Sequence, residues 1–157
     1  MRKIRKTKPF KKAKISKWLK PNALVKRFTP GMMHLDGKSV KVGSSRAEAD
    51  WLDKLQVPKR QVVFRGFNNR LYVVDGLNPE TKTVYEFLGC KFHGHPTHLD
   101  LKRFNTMTRK TYGQMYWETL ARFKYLTELG WKVFFVWECD YNKGNLGRYY
   151  LGPGDQL

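Results

Sequence analysis

Residues 61–90, QVVFRGFNNRLYVVDGLNPETKTVYEFLGC, contain three apolar runs separated by two turn-like stretches. The runs are rich in Val, Tyr and Phe, which favour strands. Asn68-Asn69 suits a tight turn because Asn tolerates positive φ, and residues 78–81 have the composition of a second turn. The stretch therefore predicts an antiparallel meander with strands at 61–67, 70–75 and 84–90.

Helices are predicted on both sides of this meander. Residues 45–48 (SRAE) have the pattern of a capping box, and apolar residues then recur at helical spacing. A second helix is predicted over 112–129, with Gly130 as its C-terminal cap. Residues 132–137, KVFFVW, form a continuous apolar run that is typical of a buried strand beside a parallel neighbour. The order helix, three strands, helix, strand predicts an α/β fold with a mixed sheet.

The chain carries a large positive charge. Its 157 residues include 31 Lys and Arg against 13 Asp and Glu, a formal net charge of +18. Nucleic acid is the expected partner, because each neutralised phosphate releases counterions, and an anionic membrane surface is the weaker option. There is neither a stretch of about 18 apolar residues nor a secretory signal, so we expect an intracellular protein with no membrane partner.

The positive charge is concentrated at the start of the chain. Residues 1–35 contain no acid, and prolines interrupt them. We therefore predict a basic arm and loop over 1–43, followed by a folded domain over 44–157. A solubilising tail or a nuclear localisation signal is the alternative interpretation of the arm. The cations expected to bind nucleic acid there are Arg2, Lys3, Arg5, Lys6, Lys11 and Lys12.

Two acids lie on adjacent strands of the predicted meander. A turn centred on residues 79–80 sets Asp75 diagonal to Glu86, and a register shifted by two residues sets them directly opposite. Two convergent carboxylates suit a hard divalent cation such as Mg²⁺, and Glu48 could point at the same site from the first helix. Glu48 is also explained as a capping residue, and Asp75 could simply end a strand. Glu86 stands in an apolar run, so we expect it to be paired or to bind a ligand.

A second group of potential metal ligands follows the third strand. Cys90, His95 and His98 are close in sequence, and Cys139 reaches them if the third and last strands are neighbours. Two thiolates and two imidazoles are the ligand count of a structural zinc site, although two buried cysteines beside surface histidines would give the same sequence. His93 could serve as a general acid or base, but a lone His is more often structural.

Two stretches resemble a known family of nucleases. Residues 86–96 (EFLGCKFHGHP) resemble the GCFWHG segment of the Vsr (very short patch repair) endonucleases and the YEFHGCYWHG signature of related nuclease domains in viruses and mobile elements. Residues 129–139 (LGWKVFFVWEC) resemble the GWRV…WEC ending of the same family. The resemblance covers roughly 44–141. It implies the PD-(D/E)xK restriction-endonuclease-like fold and a metal-dependent DNA endonuclease that nicks one strand or cuts both.

The resemblance also implies roles for individual residues at the acid site. Asp75 corresponds to the central Mg²⁺ ligand, Glu86 to the second acid and Glu48 to the acid of the first helix. His93 corresponds to a histidine with a proton-transfer role. The chain departs from the family at Leu88, where relatives often have His and where the usual Lys of the wider fold is also missing; Lys91 could reach the phosphate instead.

The zinc ligands carry over with one departure. Cys90, His95 and Cys139 match zinc ligands of the Vsr enzymes, whereas a Cys is expected where this chain has Thr97, and His98 is the nearest substitute. Arg122 and Lys124 on the long helix are expected to hold the DNA backbone together with the arm.

Two other functions compete with the nuclease. Leu88 favours a nuclease fold that binds DNA without cleaving it, as a virion or chromatin component. A small RNA-associated protein of ribosomal type would explain the arm but not the acids beside the Cys and His residues. The nuclease needs Mg²⁺ and a structural Zn²⁺ but no small-molecule cofactor, and the resemblance makes a viral or phage origin plausible.

Overall fold

The structure is a computed structural model that describes residues 32–35, 38–41, 43–65, 71–155 and 157. Thirteen elements are present in these ranges: β1 (Met32–Leu35), β2 (Lys38–Lys41), α1 (Arg46–Lys54), β3 (Lys59–Arg65), β4 (Leu71–Asn78), β5 (Thr83–Leu88), α2 (Cys90–His93), β6 (Phe104–Asn105), β7 (Lys110–Thr111), α3 (Tyr112–Glu128), β8 (Lys132–Trp137), α4 (Glu138–Tyr141) and β9 (Arg148–Tyr149). None of the helices in these ranges is long and apolar enough to cross a membrane.

A mixed sheet of five strands forms the centre, in the order β3-β4-β5-β8-β9. The meander of β3, β4 and β5 is antiparallel, β5 and β8 are parallel, and β9 pairs antiparallel with β8. The predicted mixed sheet and the parallel neighbour of the last apolar run are therefore confirmed. The parallel pair needs a crossover connection, and α3 lies in that connection.

The capping box predicted at the start of α1 is confirmed. The Ser45 hydroxyl accepts a hydrogen bond from the backbone N–H of Glu48 (3.1 Å), and the Glu48 carboxylate accepts one from the backbone N–H of Ser45 (3.4 Å). A second capping box, between Thr111 and Gln114, starts α3. In both cases the polar side chain satisfies an N–H group that has no partner within the helix.

Two apolar layers hold the helices against the sheet. On one side, α3 contributes Phe123 and Leu126 to a core with Val84, Leu88 and other buried side chains of the sheet. On the other side, the α1 residues Trp51 and Leu52 pack with Val57, Phe87 and Val136. Burial of this apolar area is the main force that fixes the two helices on the sheet.

Several element boundaries predicted from sequence were wrong. The arm and loop predicted over 1–43 include the β1–β2 hairpin, and a second hairpin, β6–β7, lies between α2 and α3. The third strand ends at Leu88 rather than at residue 90, because α2 begins at Cys90. The edge strand β9 was not predicted, since two residues are too few to produce a periodic pattern.

Candidate functional site

The carboxyl ends of β5 and β8 bring two cysteines together. Cys90 comes two residues after β5, and Cys139 comes two residues after β8. Because the strands are parallel neighbours, the segments that follow them leave the sheet at the same edge. His95 and His98 complete a group that we call the Cys/His cluster. Its four potential ligand atoms all lie within 4.8 Å of one another, so the cluster could hold a metal ion.

The chemistry of the two thiols favours a bound cation. Burial raises the pKa of the Cys139 thiol to about 11, and its hydrogen bond and charge interaction with Cys90 act in the same direction. Two thiolates this close repel each other, and a metal ion bound between them removes that repulsion. Two sulfur and two nitrogen donors form a complete tetrahedral set. The ligand group proposed from sequence is therefore assembled in the structure.

Thr97 orients His95 instead of replacing a cysteine ligand. The Thr97 hydroxyl lies 3.1 Å from Nδ1 of His95, and the imidazole is buried against the ring of Trp137. The backbone N–H of Thr97 also donates a hydrogen bond to Nδ1 of His95 at 3.3 Å, so this nitrogen accepts from the loop. His98 stacks on His95 with the ring centroids 4.1 Å apart. Thr97 thus holds the ligand in position, and His98 takes the fourth place.

The three acids expected at the catalytic site come from three elements, and we call Glu48, Asp75 and Glu86 the acid cluster. The β4–β5 pairing runs from Asn78 and Thr83 to Gly76 and Tyr85, and the same register continued by one residue would set Asp75 opposite Glu86. This is the register shifted by two residues, because the turn is centred later than residues 79–80. The Asp75 carboxylate accepts a hydrogen bond from the backbone N–H of Phe87 at 2.7 Å.

The acid cluster is strongly desolvated. Glu86 is 2% exposed and Glu48 is 7% exposed. Burial raises the pKa of Glu86 to about 7, although Arg122 opposes the shift. Burial also raises the pKa of Asp75 well above its usual range, and the charges of Glu86 and Glu48 raise it further. The repulsion identifies the cluster as a place where a cation would be stabilised.

The described residues compensate only part of this negative charge. A guanidinium nitrogen of Arg122 donates a hydrogen bond to Oε2 of Glu86 at 2.8 Å. The amide of Gln61 donates to Oε1 of Glu48 at 2.7 Å. Oε1 of Glu86 is buried and has no hydrogen-bond partner among the described residues. The expectation that Glu86 is paired is confirmed, and one of its oxygens remains available.

The acids are not drawn around a common point. Among the residues that the structure describes, the Cys/His cluster is the one group of three or more His, Cys, Asp or Glu side chains found at a spacing that could hold an ion. The three carboxylates would have to move toward each other to bind one ion together. Repulsion between like charges, with Arg122 as an internal counterion, accounts for their separation.

His93 is the last residue of α2 and lies within range of the charge of Arg122. Its Nδ1 is 3.0 Å from the hydroxyl of Thr119 on α3. That hydroxyl donates its own proton to the backbone carbonyl of Met115, so Nδ1 is the donor and Nε2 keeps a lone pair. Burial, assisted by the charge of Arg122, lowers the pKa of His93 to about 3. The imidazole is therefore neutral at neutral pH, and Nε2 carries a free lone pair.

The cations that were predicted to bind nucleic acid differ in their exposure to solvent and in their partners. Arg122 was expected at the DNA backbone, but its guanidinium lies in the acid cluster and its side chain is only 22% exposed. Lys124 is exposed, 3.9 Å from Glu128, and Lys91 is also exposed. The arm cations Arg2, Lys3, Arg5, Lys6, Lys11 and Lys12 lie outside the described residues.

Thr97, Thr119 and Arg122 are the residues at these sites whose placement the sequence analysis missed. Thr119 and Arg122 are three residues apart on α3, next to the buried positions Phe123 and Leu126. The helical spacing therefore carried a signal for both, since residues three and four apart share a helix face. No comparable signal marked Thr97, because its role depends on the fold of a loop.

No protein-family model, curated protein or solved structure matches this chain. The function is therefore argued from the two clusters and the charge of the chain.

Proposed function

We propose that this chain is a metal-dependent DNA endonuclease with a restriction-endonuclease-like core of the Vsr type. The observation that carries the proposal is the electrostatic interaction of three desolvated acids from α1, β4 and β5, with Arg122 acting both on two of these acids and on a neutral histidine. Glu86 contributes a buried oxygen that has no hydrogen-bond partner among the described residues. Burying that many carboxyl groups costs stability, and groups retained at such a cost mark a candidate functional site.

Asp75 and Glu86 are the residues that would hold Mg²⁺, with Glu48 beside them. Oxygen donors and an uncompensated negative charge are what this hard cation requires. When bound, Mg²⁺ polarises the phosphate and lowers the pKa of a coordinated water. The orphaned oxygen of Glu86 and the mutual repulsion of the acids both fit such an ion.

The neutral imidazole of His93 acts as the proton acceptor. Its Nε2 takes a proton from the water whose oxygen attacks phosphorus, while Thr119 holds the ring through Nδ1. The phosphorus–oxygen bond to one sugar then breaks, and the leaving oxygen gains a proton from solvent. An anionic phosphate beside the imidazole raises its pKa and strengthens it as a base.

DNA is the proposed substrate because of the charge of the chain. The net charge of +18 and the basic segment at 1–35 provide non-specific affinity for phosphates. Exposed Lys91 and Lys124 add cations to the folded domain. Binding should weaken steeply as salt concentration rises.

We assign Zn²⁺ to the Cys/His cluster as a structural ion. Four protein ligands leave no open position for substrate, which distinguishes such a site from a catalytic zinc. The cluster begins at the first residue of α2, and His93 is the last residue of the same helix. Zinc therefore fixes the helix that presents the proposed base.

A plasmid assay tests the nuclease. With Mg²⁺ the wild-type protein should convert supercoiled plasmid to nicked or linear forms, and Asp75→Ala should lower the rate by about a thousandfold or more. Glu80→Ala, which removes an exposed acid from the β4–β5 turn, is the matched control and should retain the wild-type rate. Cleavage that survives in Asp75→Ala would refute the assignment.

A DNA-binding protein that does not cleave is the second candidate. Leu88, two residues after Glu86, is fully buried, and Arg122 already neutralises one oxygen of Glu86. This candidate predicts salt-sensitive DNA binding and no cleavage with Mg²⁺ or Mn²⁺.

A further inference from the structure

Arg122 occupies a central position among the charged groups of the acid cluster. Its guanidinium contacts Glu86, and its charge also acts on Asp75 and His93. It comes from α3, one turn after Thr119, which holds His93. One face of α3 therefore carries both the support of the proposed base and a cation directed at the acids.

Among the described residues, no lysine forms an ion pair with the acid cluster. The strand residue that follows Glu86 on the same side of β5 is Leu88, which is buried in the apolar core beneath α3. Lys91 lies on α2 with its side chain exposed. A positive group for the reacting phosphate thus comes from the helix and not from the strand.

The hydrogen bonds of Arg122 leave part of its donor capacity available. A guanidinium has five N–H donors in a planar fork, and Nε of Arg122 is buried without a hydrogen-bond partner in the described part of the chain. An unpaired buried donor is unfavourable, and an anion beside it would relieve that cost. A planar fork matches two oxygens of a phosphate better than an ammonium group does.

We propose that Arg122 binds the non-bridging oxygens of the phosphodiester that is cleaved. The inference rests on the proposed nuclease function and assigns a new residue to its site. In the absence of substrate, Arg122 compensates Glu86. With a divalent ion held by Glu86, this contact would be exchanged, and the guanidinium would turn its donors to the phosphate. The interaction strengthens as negative charge accumulates on the oxygens in the transition state.

Three variants separate this role from simple charge compensation. Arg122→Gln removes the cation, Arg122→Lys keeps a point charge without the fork, and Lys132→Gln removes an exposed charge at the start of β8 as a control. Each variant is assayed for kcat and KM on supercoiled plasmid at saturating Mg²⁺, and for Mn²⁺ affinity by electron paramagnetic resonance without DNA. Thermal unfolding and zinc content verify the fold.

The proposal predicts opposite effects on catalysis and on metal binding. Arg122→Gln should lower kcat about a hundredfold with KM within threefold of wild type, because the contact is strongest in the transition state. Its Mn²⁺ affinity should be equal to or higher than that of wild type, because no cation competes for Glu86. Arg122→Lys should recover part of the rate, and Lys132→Gln should match wild type.

Other outcomes overturn the proposal in distinguishable ways. If kcat of Arg122→Gln stays within threefold of wild type, Arg122 does not bind the phosphate, while the nuclease function stands. If Mn²⁺ affinity falls together with kcat, Arg122 only shapes the acid cluster. Should Arg122→Gln fail to fold, Arg122→Lys decides, and a wild-type rate in it refutes the forked contact. If the wild-type protein does not cleave with either metal, both proposals fail.

Discussion

The Cys/His cluster and the acid cluster differ in how far they are assembled without an ion. The four potential ligand atoms of the first lie within 4.8 Å of one another, whereas the three carboxylates of the second do not gather at such a spacing, and Glu86 pairs with Arg122. Neutral thiols and imidazoles can pack together, but desolvated carboxylates repel each other. A site whose ligands are already in place can stabilise the fold. A site whose ligands repel each other is completed only when its ion binds.

The largest expected effect is the loss of the preformed site. Cys139→Ser should abolish binding of the proposed zinc and lower the free energy of unfolding by about 4 kcal/mol, the linkage expected for an ion present at about a thousand times its dissociation constant. Zinc content is measured by mass spectrometry and stability by thermal unfolding. As an internal control, a zinc chelator should lower the Tm of the wild-type protein and leave that of the variant nearly unchanged. Equal stabilities with zinc bound to both proteins would contradict the comparison.

Substitution of His93, which lies on the helix that begins at the Cys/His cluster, should give the next largest effect. His93→Gln should lower the single-turnover cleavage rate by about a hundredfold or more, because the proton acceptor is lost. Thr119→Val should lower the rate by a smaller factor, since the imidazole remains but is no longer held. Zinc content should be unchanged in both variants. A His93→Gln rate within threefold of wild type would remove His93 from the mechanism.

Substitution of Thr97, which contacts His95, tests how the Cys/His cluster is held in place. Thr97→Val removes the hydroxyl that lies 3.1 Å from Nδ1 of His95 while keeping the volume of the side chain. Loss of such an outer hydrogen bond should weaken zinc binding by about tenfold to a hundredfold. Competition with a fluorescent chelator measures the affinity. An unchanged affinity would show that packing against Trp137 is sufficient to orient the ring.

The smallest expected effect has the opposite sign. Asp75→Asn should stabilise the zinc-loaded protein in buffer without Mg²⁺ by on the order of 1 kcal/mol. The reason is that the substitution removes a desolvated carboxyl group. Burial and the charges of two neighbouring acids raise the pKa of this group. The amide oxygen can still accept the hydrogen bond from Phe87. Glu80→Gln is the exposed control and should leave the Tm unchanged. A lower Tm in Asp75→Asn would show that the acid cluster is not strained.

Local patterns predicted much of the fold. The capping box at Ser45 and Glu48 and the strand over Lys132–Trp137 were predicted correctly, because hydrogen bonding in the first turn and continuous burial leave clear marks in the sequence. The short strand β9 and the hairpin β6–β7 were missed. Their pairing depends on where the rest of the chain places them.

The two clusters were predictable to different extents. Cys90, His95, His98 and Cys139 were identified because parallel strands bring their carboxyl ends together. The opposition of Asp75 and Glu86 depended on a turn whose length the sequence left open. The pairing of Arg122 with Glu86 joins residues 36 positions apart, and helical periodicity indicates only the face on which Arg122 lies.

Crystals grown with zinc and soaked in Mn²⁺ provide the most direct test of the proposed two-metal arrangement. Anomalous difference maps recorded at the absorption edges of the two metals distinguish the ions. We expect Zn²⁺ bound by Cys90, His95, His98 and Cys139, and Mn²⁺ bound by Asp75 and Glu86 with Arg122 displaced from Glu86. A map without Mn²⁺ at these acids, in which Arg122 still pairs with Glu86, would contradict the account.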